Sequence, residues 1–468
     1  MIQQSIYSPT DWYSMVYRNL HVIYICMIAP FAISMCFLLP PMQTPDEWAH
    51  FARSVSIAGG DIVGEPGEGP RSGTNLVPTS LLAFLTHPKF SPQYFLPGST
   101  VAYTSPPHAD LRELRWSNED VAIRNPFIAY PPTSYLPGAA GIAIAKAAGL
   151  SMVPSYYLGR FVNCISALLL AVLAIYLLPR GKLIALIAFS APSTLSLFGS
   201  YSQDAMLISF VGVAVGLLLR WHDQNSENNL ALVIFASFFI SLAIAARPPY
   251  IPLAILVPGY FVIVQKHYKK AAMLFALTLI YPIAWALSVS PLVYHDQFPG
   301  VNELEQIRYI FENPLNFLKL VFSSVILFKD AIGVIGSTGL AIPPYGFTLF
   351  YLACLMCFLS DAHSRSNLFE LKFSVYIVLV GLGCVVLLLA TSYVCWTPLH
   401  ADNITRLTGR YLVPLMLLAS AFFGMSSSRF AIIPARFASA PVIVALCLMV
   451  CVNFIGVITT IMAYYYIR

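Results

Sequence analysis

The residues best suited to acid–base chemistry lie just after the first apolar run of the chain, and they are Asp46, His50 and Arg53. Their spacing places all three on one face of a helix. A carboxylate held beside a histidine and an arginine is equipped to take a proton from a hydroxyl group. The spacing predicts Asp46 as a general base, with His50 to orient it. The alternative for Asp46 is favourable placement at the positive end of a helix dipole, which contributes about 0.3–1 kcal/mol.

The residues around Asp46 read as the start of that helix. Thr44 suits the N-cap, Pro45 the first helical position, and Glu47 the capping-box position three residues after the cap. This interpretation gives Glu47 a structural duty and leaves Asp46 free for chemistry. Asp46, Glu47 and His50 together are the candidate catalytic residues.

Three arginines occupy positions where a cation is costly. Arg160 falls about one turn inside an apolar run, whereas Arg247 and Arg410 lie at the ends of other runs. Guanidinium groups form bidentate, charge-assisted hydrogen bonds with anions, so we expect the three to converge on one face and bind an anion. For Arg160 alone, the alternative is snorkelling toward the lipid headgroups.

Four further residues are expected to support the site. Asp204, preceded by Gln203, begins an apolar run, and its alternative role is a helix cap. Tyr130 suits the same level of the membrane, and its alternative role is in an interfacial aromatic belt. Arg53 joins the group through its place on the Asp46 face. The convergence of Asp46 and Asp204 with the three arginines, more than any single residue, indicates a site.

The elements that must position these side chains are membrane helices. Apolar residues make up 58% of the 468 residues and charged residues only 10%, against about a quarter charged in soluble proteins. The balance of 26 Lys and Arg against 21 Asp and Glu is too small to indicate nucleic acid. We predict an all-α polytopic membrane protein with about eleven transmembrane helices and a loop-rich extracytoplasmic cap. The apolar runs long enough to span a bilayer are 20–39, 157–178, 183–199, 204–219, 230–246, 250–264, 271–290, 344–359, 373–391, 411–424 and 440–462.

The basic residues of the loops indicate the orientation. If the N-terminus faces the cytoplasm, every cytoplasmic loop carries Lys or Arg, as the positive-inside rule requires. This register holds only if 129–149 does not cross the membrane, and its early prolines and Lys146 fit an interfacial helix instead.

Five segments follow from that register. The first and second extracytoplasmic loops separate groups of transmembrane helices, and the second contains an amphipathic helix. The predicted segments are the cytoplasmic N-terminus with the first transmembrane helix (1–39), the first extracytoplasmic loop with the catalytic segment and interfacial helices (40–156), transmembrane helices 2–7 (157–290), the second extracytoplasmic loop (291–343) and transmembrane helices 8–11 (344–468).

Six short motifs carry a resemblance to a known family. Through the order and spacing of these motifs, the chain resembles a bacterial polytopic membrane family of unknown function that is grouped with the GT-C membrane glycosyltransferases. The resemblance covers about residues 35 to 425. The motifs are Pro-Asp-Glu-x-x-His at 45–50, Tyr-Pro-Pro at 130–132, Gly-Arg at 159–160, Ser-Gln-Asp at 202–204, Arg-Pro-Pro at 247–249 and Gly-Arg-Tyr at 409–411.

The resemblance implies an inverting glycosyltransferase of the bacterial inner membrane with its active site facing the periplasm. Its partners would be membrane lipids, a polyprenyl-phosphate-linked sugar donor, and a glycan or lipid acceptor such as cell-surface polysaccharide or O-antigen. Asp46 matches the carboxylate base of the family's first outer loop, Glu47 is the adjacent acid, and the three arginines are candidates for holding the donor phosphate. Some relatives use a divalent metal and others do not, which leaves Mg²⁺ or Mn²⁺ open.

Two other classes of protein remain as alternatives. An O-antigen polymerase or ligase also uses outer-face arginines on polyprenyl-linked sugars, but it concentrates its chemistry in a large late loop. A lipid-linked saccharide flippase or exporter should line a path through the membrane with polar groups. The inner face of this chain carries ordinary basic anchors.

Overall fold

Long apolar segments form helices because a backbone in hydrocarbon must satisfy its N–H and C=O groups within the segment. This rule accounts for most of the chain, whose predicted all-α fold class is confirmed. A computed structural model describes residues 12–67, 73–87, 113–223, 229–292, 301–327, 332–336, 339–361, 368–399, 401, 403–404, 408–425 and 439–467.

The helices follow one another along the chain with short connections. Short 3₁₀ segments occur at Pro126–Ala129, Pro132–Ser134, Pro248–Ile255 and Gly409–Tyr411, and π-helical segments at Phe261–Gln265, Val452–Ile458 and Met462–Tyr466. The α-helices are α1 (Trp12–Arg18), α2 (Leu20–Met27), α3 (Ala29–Leu38), α4 (Glu47–Ala58), α5 (Thr79–Leu85), α6 (Leu136–Ala147), α7 (Met152–Leu177), α8 (Lys182–Ser190), α9 (Pro192–Phe198), α10 (Gln203–Asp223), α11 (Leu230–Ala246), α12 (Leu256–Tyr260), α13 (Tyr268–Val289), α14 (Glu303–Glu312), α15 (Pro314–Leu327), α16 (Pro344–Asp361), α17 (Leu368–Trp396), α18 (Val413–Met425), α19 (Ser439–Cys451) and α20 (Thr459–Ile461).

Seven helical segments in the described part of the chain are long and apolar enough to cross a membrane. Of these, α10 is the most deeply buried, and it packs between α7 and α11 at the centre of the bundle. Shorter apolar helices account for the predicted runs near 230, 344 and 411. The seven candidate spans are Leu20–Leu38, Met152–Leu177, Gln203–Asp223, Pro248–Gln265, Tyr268–Val289, Lys372–Trp396 and Ala440–Tyr466.

The predicted run 183–199 is not one continuous helix. It divides into α8 and α9, with Pro192 as the first residue of α9. Proline has no backbone N–H to continue the hydrogen bonds of the preceding turn, and its ring crowds that turn, so the helix restarts there. All side chains of both helices are buried in the bundle.

The segment 40–156 contains short helices, as predicted, together with a small sheet that was not predicted. Strand β1 (Glu65–Pro66) pairs with β2 (Gly73–Pro78), which pairs with β3 (Asp120–Arg124), and both pairings are antiparallel. The strands are too short for alternation to stand out in a Gly- and Pro-rich sequence. Helix α6 is about 18 Å long, which is shorter than the roughly 30 Å hydrocarbon core. That 129–149 does not cross the membrane stays a prediction.

Helices α6 and α7 approach closely at a pair of glycines. A Cβ added to Gly141 would lie 2.7 Å from the Cα of Gly159, and one added to Gly159 would collide with the Tyr201 hydroxyl. The absence of side chains here brings α6, α7 and the start of α10 together. Gly159 precedes Arg160, so this contact also fixes the position of that arginine.

Candidate functional site

The helix that carries the candidate base starts later than the sequence predicted. Helix α4 begins at Glu47, and Asp46 is its N-cap in the left-handed conformation, with φ of 60° and ψ of 14°. The predicted N-cap at Thr44 and capping box with Glu47 are therefore wrong. The Asp46 side chain makes no capping hydrogen bond. Residues held in this region of backbone space are strained and cluster at functional sites, although Asp tolerates it better than most.

Glu47 points into the bundle and forms a closed ion pair with Arg160. The Arg160 Nε donates to Glu47 Oε1 at 2.7 Å, and Nη2 donates to Oε2 at 2.6 Å. Both side chains are fully buried. The backbone N–H of Tyr201 also donates to Glu47 Oε1 at 3.3 Å. Burial opposes the charge on Glu47, but the Arg160 guanidinium outweighs it and lowers the pKa of that carboxyl.

Arg160 has no hydrogen-bonding capacity left for a ligand. Besides the two bonds to Glu47, Arg160 donates through Nη1 and Nη2 to the carbonyls of Cys36, Leu39 and Pro40, at 3.2, 2.7 and 3.2 Å. These five bonds use all five N–H groups of a guanidinium. Arg160 also lies two turns into α7, which begins at Met152, and not one turn as predicted. This pair joins the end of α3 to the start of α4.

A second cluster of charges lies where four helical segments end or begin. Arg247 Nη2 donates to Asp204 Oδ1 at 2.8 Å, and Arg410 Nη2 donates to Asp46 Oδ2 at 3.0 Å. Arg410 Nε lies 3.3 Å from Asp204 Oδ2, an ion pair whose geometry falls short of a hydrogen bond. Asp204 therefore bridges the two arginines, and Asp46 closes the chain of charges on one side.

This second cluster differs from the first in being incompletely paired. The nitrogens Nε of Arg247 and Nε and Nη1 of Arg410 are buried and have no hydrogen-bond partner among the described residues. Burying a donor without a partner costs about 1–3 kcal/mol, more for a charged group. Asp46 is the accessible member, with 51% of its side chain exposed, against 8% for Arg410 and 2% for Asp204.

Tyr411 packs between the two arginines. Its ring centroid lies 4.1 Å from the Arg247 guanidinium carbon and 5.3 Å from that of Arg410. The Tyr250 hydroxyl donates to the Tyr411 carbonyl and fixes the backbone beside Arg410. A guanidinium stacked on an aromatic face keeps its edge available for an anion.

His50 lies beside this cluster as a buried, neutral group. Its Nδ1 is 2.9 Å from the Tyr135 hydroxyl, and its ring stacks on Phe127 with centroids 4.5 Å apart. The Tyr135 hydroxyl donates to Gln203 Oε1 at 3.5 Å, and Gln203 Nε2 is buried without a partner among the described residues. Burial lowers the pKa of His50 to about 4 despite the nearby carboxylates of Asp46 and Asp204.

Of the predicted supporting residues, Tyr130 lies at the edge of the charged cluster and Arg53 lies away from it. Tyr130 packs against Phe127 in a tilted arrangement, with ring centroids 5.4 Å apart. Burial raises the pKa of Tyr130 and the nearby Arg247 guanidinium opposes that rise, so Tyr130 borders the cluster. Arg53 turns away from Asp46 and donates to the carbonyls of Asp61, at 3.4 Å, and Ile62. The expectation that Arg53 shares a working face with Asp46 is therefore wrong, because its guanidinium ties the end of α4 to the following loop.

The two carboxylates do not fit a divalent metal as they stand. Asp46 and Asp204 both face guanidinium groups, which would repel a second cation. Within the described residues, no group of three His, Cys, Asp or Glu side chains is placed to hold a metal ion.

The Asp46 carboxyl is held in its charged form. Partial burial opposes that charge, but the Arg410 guanidinium, with smaller contributions from His50 and Arg247, outweighs it and lowers the pKa of Asp46 below its ordinary value. Paired in this way, Asp46 is a weak base. Release from Arg410 would restore its basicity.

The bundle of apolar helices, with charged side chains at its helix ends, defines a polytopic membrane protein. The chain belongs to the predicted membrane protein family DUF2142, whose family model matches residues 31–419. This range includes Asp46, Glu47, Asp204, Arg247 and Arg410. No match was found among curated proteins or among solved structures.

Sequence reasoning gave little weight to three aromatic residues at this site. Tyr135, Tyr250 and Tyr411 contact His50, the Tyr411 carbonyl and both arginines, respectively. Tyrosines near membrane ends are common in interfacial belts, so their type alone does not distinguish a site. The useful signal was adjacency, because Tyr411 directly follows Arg410.

Proposed function

We propose that the chain is a membrane glycosyltransferase that takes a sugar from a polyprenyl-phosphate-linked donor, with Arg247 and Arg410 binding the donor phosphate. The observation that carries this proposal is that three buried guanidinium nitrogens of these two arginines have no hydrogen-bond partner among the residues that the structure describes. Phosphate oxygens are the acceptors that a guanidinium edge binds best. The order of motifs, which resembles a bacterial membrane family grouped with the GT-C glycosyltransferases, supports the same assignment.

The location of the cluster favours a lipid-linked anion over a soluble one. Asp204 is in the first turn of α10, and Arg247 directly follows α11, so both lie at the ends of membrane helices. An amphiphile with a phosphate at headgroup depth and an isoprenoid tail would present its charge at this level. In the proposed topology this level faces the periplasm of a bacterial inner membrane, because the basic loops lie on the other side.

The charge balance dictates what a phosphate must displace. Asp46 and Asp204 together neutralise Arg247 and Arg410, so an arriving phosphate competes with a carboxylate. Asp204 is buried between both arginines, whereas Asp46 is half-exposed and holds Arg410 through one hydrogen bond. The phosphate therefore takes the place of Asp46 on Arg410.

Displacement prepares Asp46 for its role as base. Without the Arg410 guanidinium, the pKa of Asp46 rises and its carboxylate can accept a proton. The acceptor hydroxyl then loses its proton to Asp46 while its oxygen forms a bond to the anomeric carbon of the sugar. The bond between that carbon and the phosphate oxygen breaks, and the departing polyprenyl phosphate keeps the electron pair, stabilised by Arg247 and Arg410. Attack from the opposite face inverts the anomeric configuration.

Arg160 is excluded from this proposal as a phosphate ligand. Its five donors are all used, and its partner Glu47 is fully buried, so neither side chain reaches the proposed phosphate position. We assign the pair to holding the α4 start in place, which sets the position of the neighbouring Asp46.

A donor-consumption assay tests the proposal. Proteoliposomes with the wild-type chain, the Arg247→Gln variant or the Arg180→Gln control would receive polyprenyl-phosphate donors radiolabelled in the sugar. Arg180 is an exposed arginine 3.7 Å from Asp223 and serves as the matched control. We expect label to leave the carrier with wild type and Arg180→Gln and to stay with Arg247→Gln. Label that crosses the membrane still attached to its carrier would instead indicate a flippase.

A further inference from the structure

A pair of helices outside the charged cluster has three distinct faces. The face of α14 that carries the buried Gln306 packs against the end of α17. The exposed surface of α14 has an apolar face and a charged face. Leu304, Ile307 and Phe311 form an exposed apolar stripe, with Leu304 80% and Phe311 81% exposed. The remaining face carries the charged residues Glu305, Arg308 and Glu312.

Helix α15 repeats this arrangement eleven residues later. Its exposed apolar stripe is Leu315, Leu318 and Phe322, with Leu315 73% and Phe322 71% exposed. Its polar face is Asn316, Lys319 and Ser323, each eleven residues after a member of the charged face of α14. The spacing i, i+3 and i+7 recurs in both helices, so each stripe lies on one face of its own helix.

The side of both helices that faces the protein sets their depth. Gln306 Nε2 donates to the carbonyl of Thr397 at 2.6 Å, and Tyr309 and Phe317 pack on Tyr393, with ring centroids 6.2 and 5.6 Å away. Tyr393 and Thr397 lie at the end of the candidate span Lys372–Trp396. The helix pair is thereby held where a membrane-spanning helix leaves the hydrocarbon.

We propose that α14 and α15 form an interfacial element that lies in the membrane surface, with the stripe Leu304, Ile307, Phe311, Leu315, Leu318 and Phe322 immersed among lipid acyl chains. A helix with an apolar face, a charged face and a position at the membrane boundary is arranged to lie in the interface plane. Helix α17, on whose end the pair packs, also exposes apolar side chains along the candidate span, such as Leu379 and Leu382. This inference is independent of the proposed function.

The element also contacts the segment that leads to the charged cluster. The backbone N–H of Ile404 donates to Ser324 Oγ of α15 at 3.4 Å, and Ile404 lies between Thr397 and Arg410 in the chain. The two tethers at Thr397 and Ile404 place this connection at the level of the interfacial helices. These contacts therefore fix the depth of the chain that leads to Arg410 relative to the interfacial helices.

Quenching of a site-specific fluorophore tests the proposal in the full chain. An environment-sensitive fluorescent amino acid would replace one residue at a time, Phe311 or Phe322 on the stripe and Glu312 or Ser323 on the polar face. The chains would be placed in nanodiscs that hold one copy and, separately, in nanodiscs that hold two copies. We expect nitroxide-labelled phospholipids to quench the two stripe positions and aqueous iodide to quench the two polar positions. The buried Phe317 position, protected from both quenchers, serves as the control for folding.

Three outcomes would overturn the proposal. Iodide quenching at all four exposed positions would show that the stripe faces water. Protection of the stripe from both quenchers in one-copy discs would show that this chain covers it. Lipid quenching in one-copy discs that disappears in two-copy discs would identify a second copy as the occupant.

Discussion

Asp46 and Glu47 are adjacent in sequence, yet their two arginine partners differ in every respect that matters for chemistry. Glu47 and Arg160 are fully buried, bidentate and saturated with hydrogen bonds. Asp46 is half-exposed and holds Arg410 by one bond, while Nε and Nη1 of Arg410 have no hydrogen-bond partner in the described part of the chain. A saturated ion pair can only hold structure together, whereas an unsaturated one can exchange a partner for a ligand.

The backbone explains how neighbouring residues reach such different surroundings. Asp46 adopts a left-handed conformation immediately before α4, while Glu47 has entered the helix. The turn directs Glu47 toward α7 and Asp46 toward the segment after α17. The left-handed conformation of Asp46 therefore separates the structural acid Glu47 from the candidate catalytic acid Asp46.

The largest expected effect is the loss of protein stability when the Glu47–Arg160 pair is broken. Glu47→Gln leaves the buried Arg160 charge uncompensated and should lower the free energy of unfolding by about 3–5 kcal/mol. Thermal unfolding of the protein in detergent would measure this loss. The control Asp223→Asn breaks the exposed Arg180 pair and should cost less than about 1 kcal/mol. Equal stability of Glu47→Gln and wild type would contradict the structural assignment of this pair.

The next effect should fall on rate rather than on folding. Asp46→Asn keeps the size of the side chain and removes the proton acceptor, so sugar transfer should fall on the order of a hundredfold or more. Its thermal stability should stay close to wild type, since Asp46 is half-exposed. A single-turnover transfer assay at matched protein amounts would compare the two chains. Wild-type turnover by Asp46→Asn would remove Asp46 from the mechanism.

A smaller effect should appear in the pH dependence of stability. His50 has a pKa of about 4 in the folded chain and an ordinary value of 6.5, so the unfolded chain binds the extra proton between these pH values. The stability that His50 contributes is therefore present above pH 6.5 and lost as the pH falls toward 4. Asp46, whose lowered pKa lies below 3.8, titrates outside this window.

The matching variant isolates that slope. His50→Gln cannot titrate, so its unfolding free energy should vary less between pH 6.5 and 4 than that of wild type, whatever its absolute stability. Unfolding measured at several pH values gives both slopes. The same slope in both chains would show that His50 is not the buried titrating group.

Much of the fold could be predicted because membrane helices are recognisable as long runs of apolar residues. Apolar runs identify spans such as α10 and α13 directly, since the backbone in hydrocarbon has few alternatives. The division of 183–199 follows from Pro192, whose effect on the helix the prediction of one span left out. The small sheet of 65–124 was not predicted because its strands are too short for an alternating pattern to stand out.

Most residues of the site could be predicted from the sequence, but their ion-pair partners could not. The residues gathered from the outer turns include Asp46, Asp204, Arg247 and Arg410, which the structure brings into contact. Arg160 could not be distinguished from them, because its partners include carbonyls of residues some 120 positions earlier in the chain. Residue type shows that an arginine needs an anion, but not whether the protein already supplies one.

The most direct test of the central claim is the binding of sugar-free polyprenyl phosphate to the purified chain in nanodiscs. The comparison uses wild type, Arg247→Lys, Arg410→Lys and the control Arg180→Lys, with polyprenol lacking the phosphate as a second ligand. Lysine keeps the charge and loses the planar fork of donors, so the account predicts about tenfold weaker binding, or roughly 1.4 kcal/mol, in the two site variants. Wild type and Arg180→Lys should bind alike, and polyprenol should bind weakly to all four chains. Equal affinity of all four chains for polyprenyl phosphate would contradict the claim that the unsaturated arginine pair is its binding site.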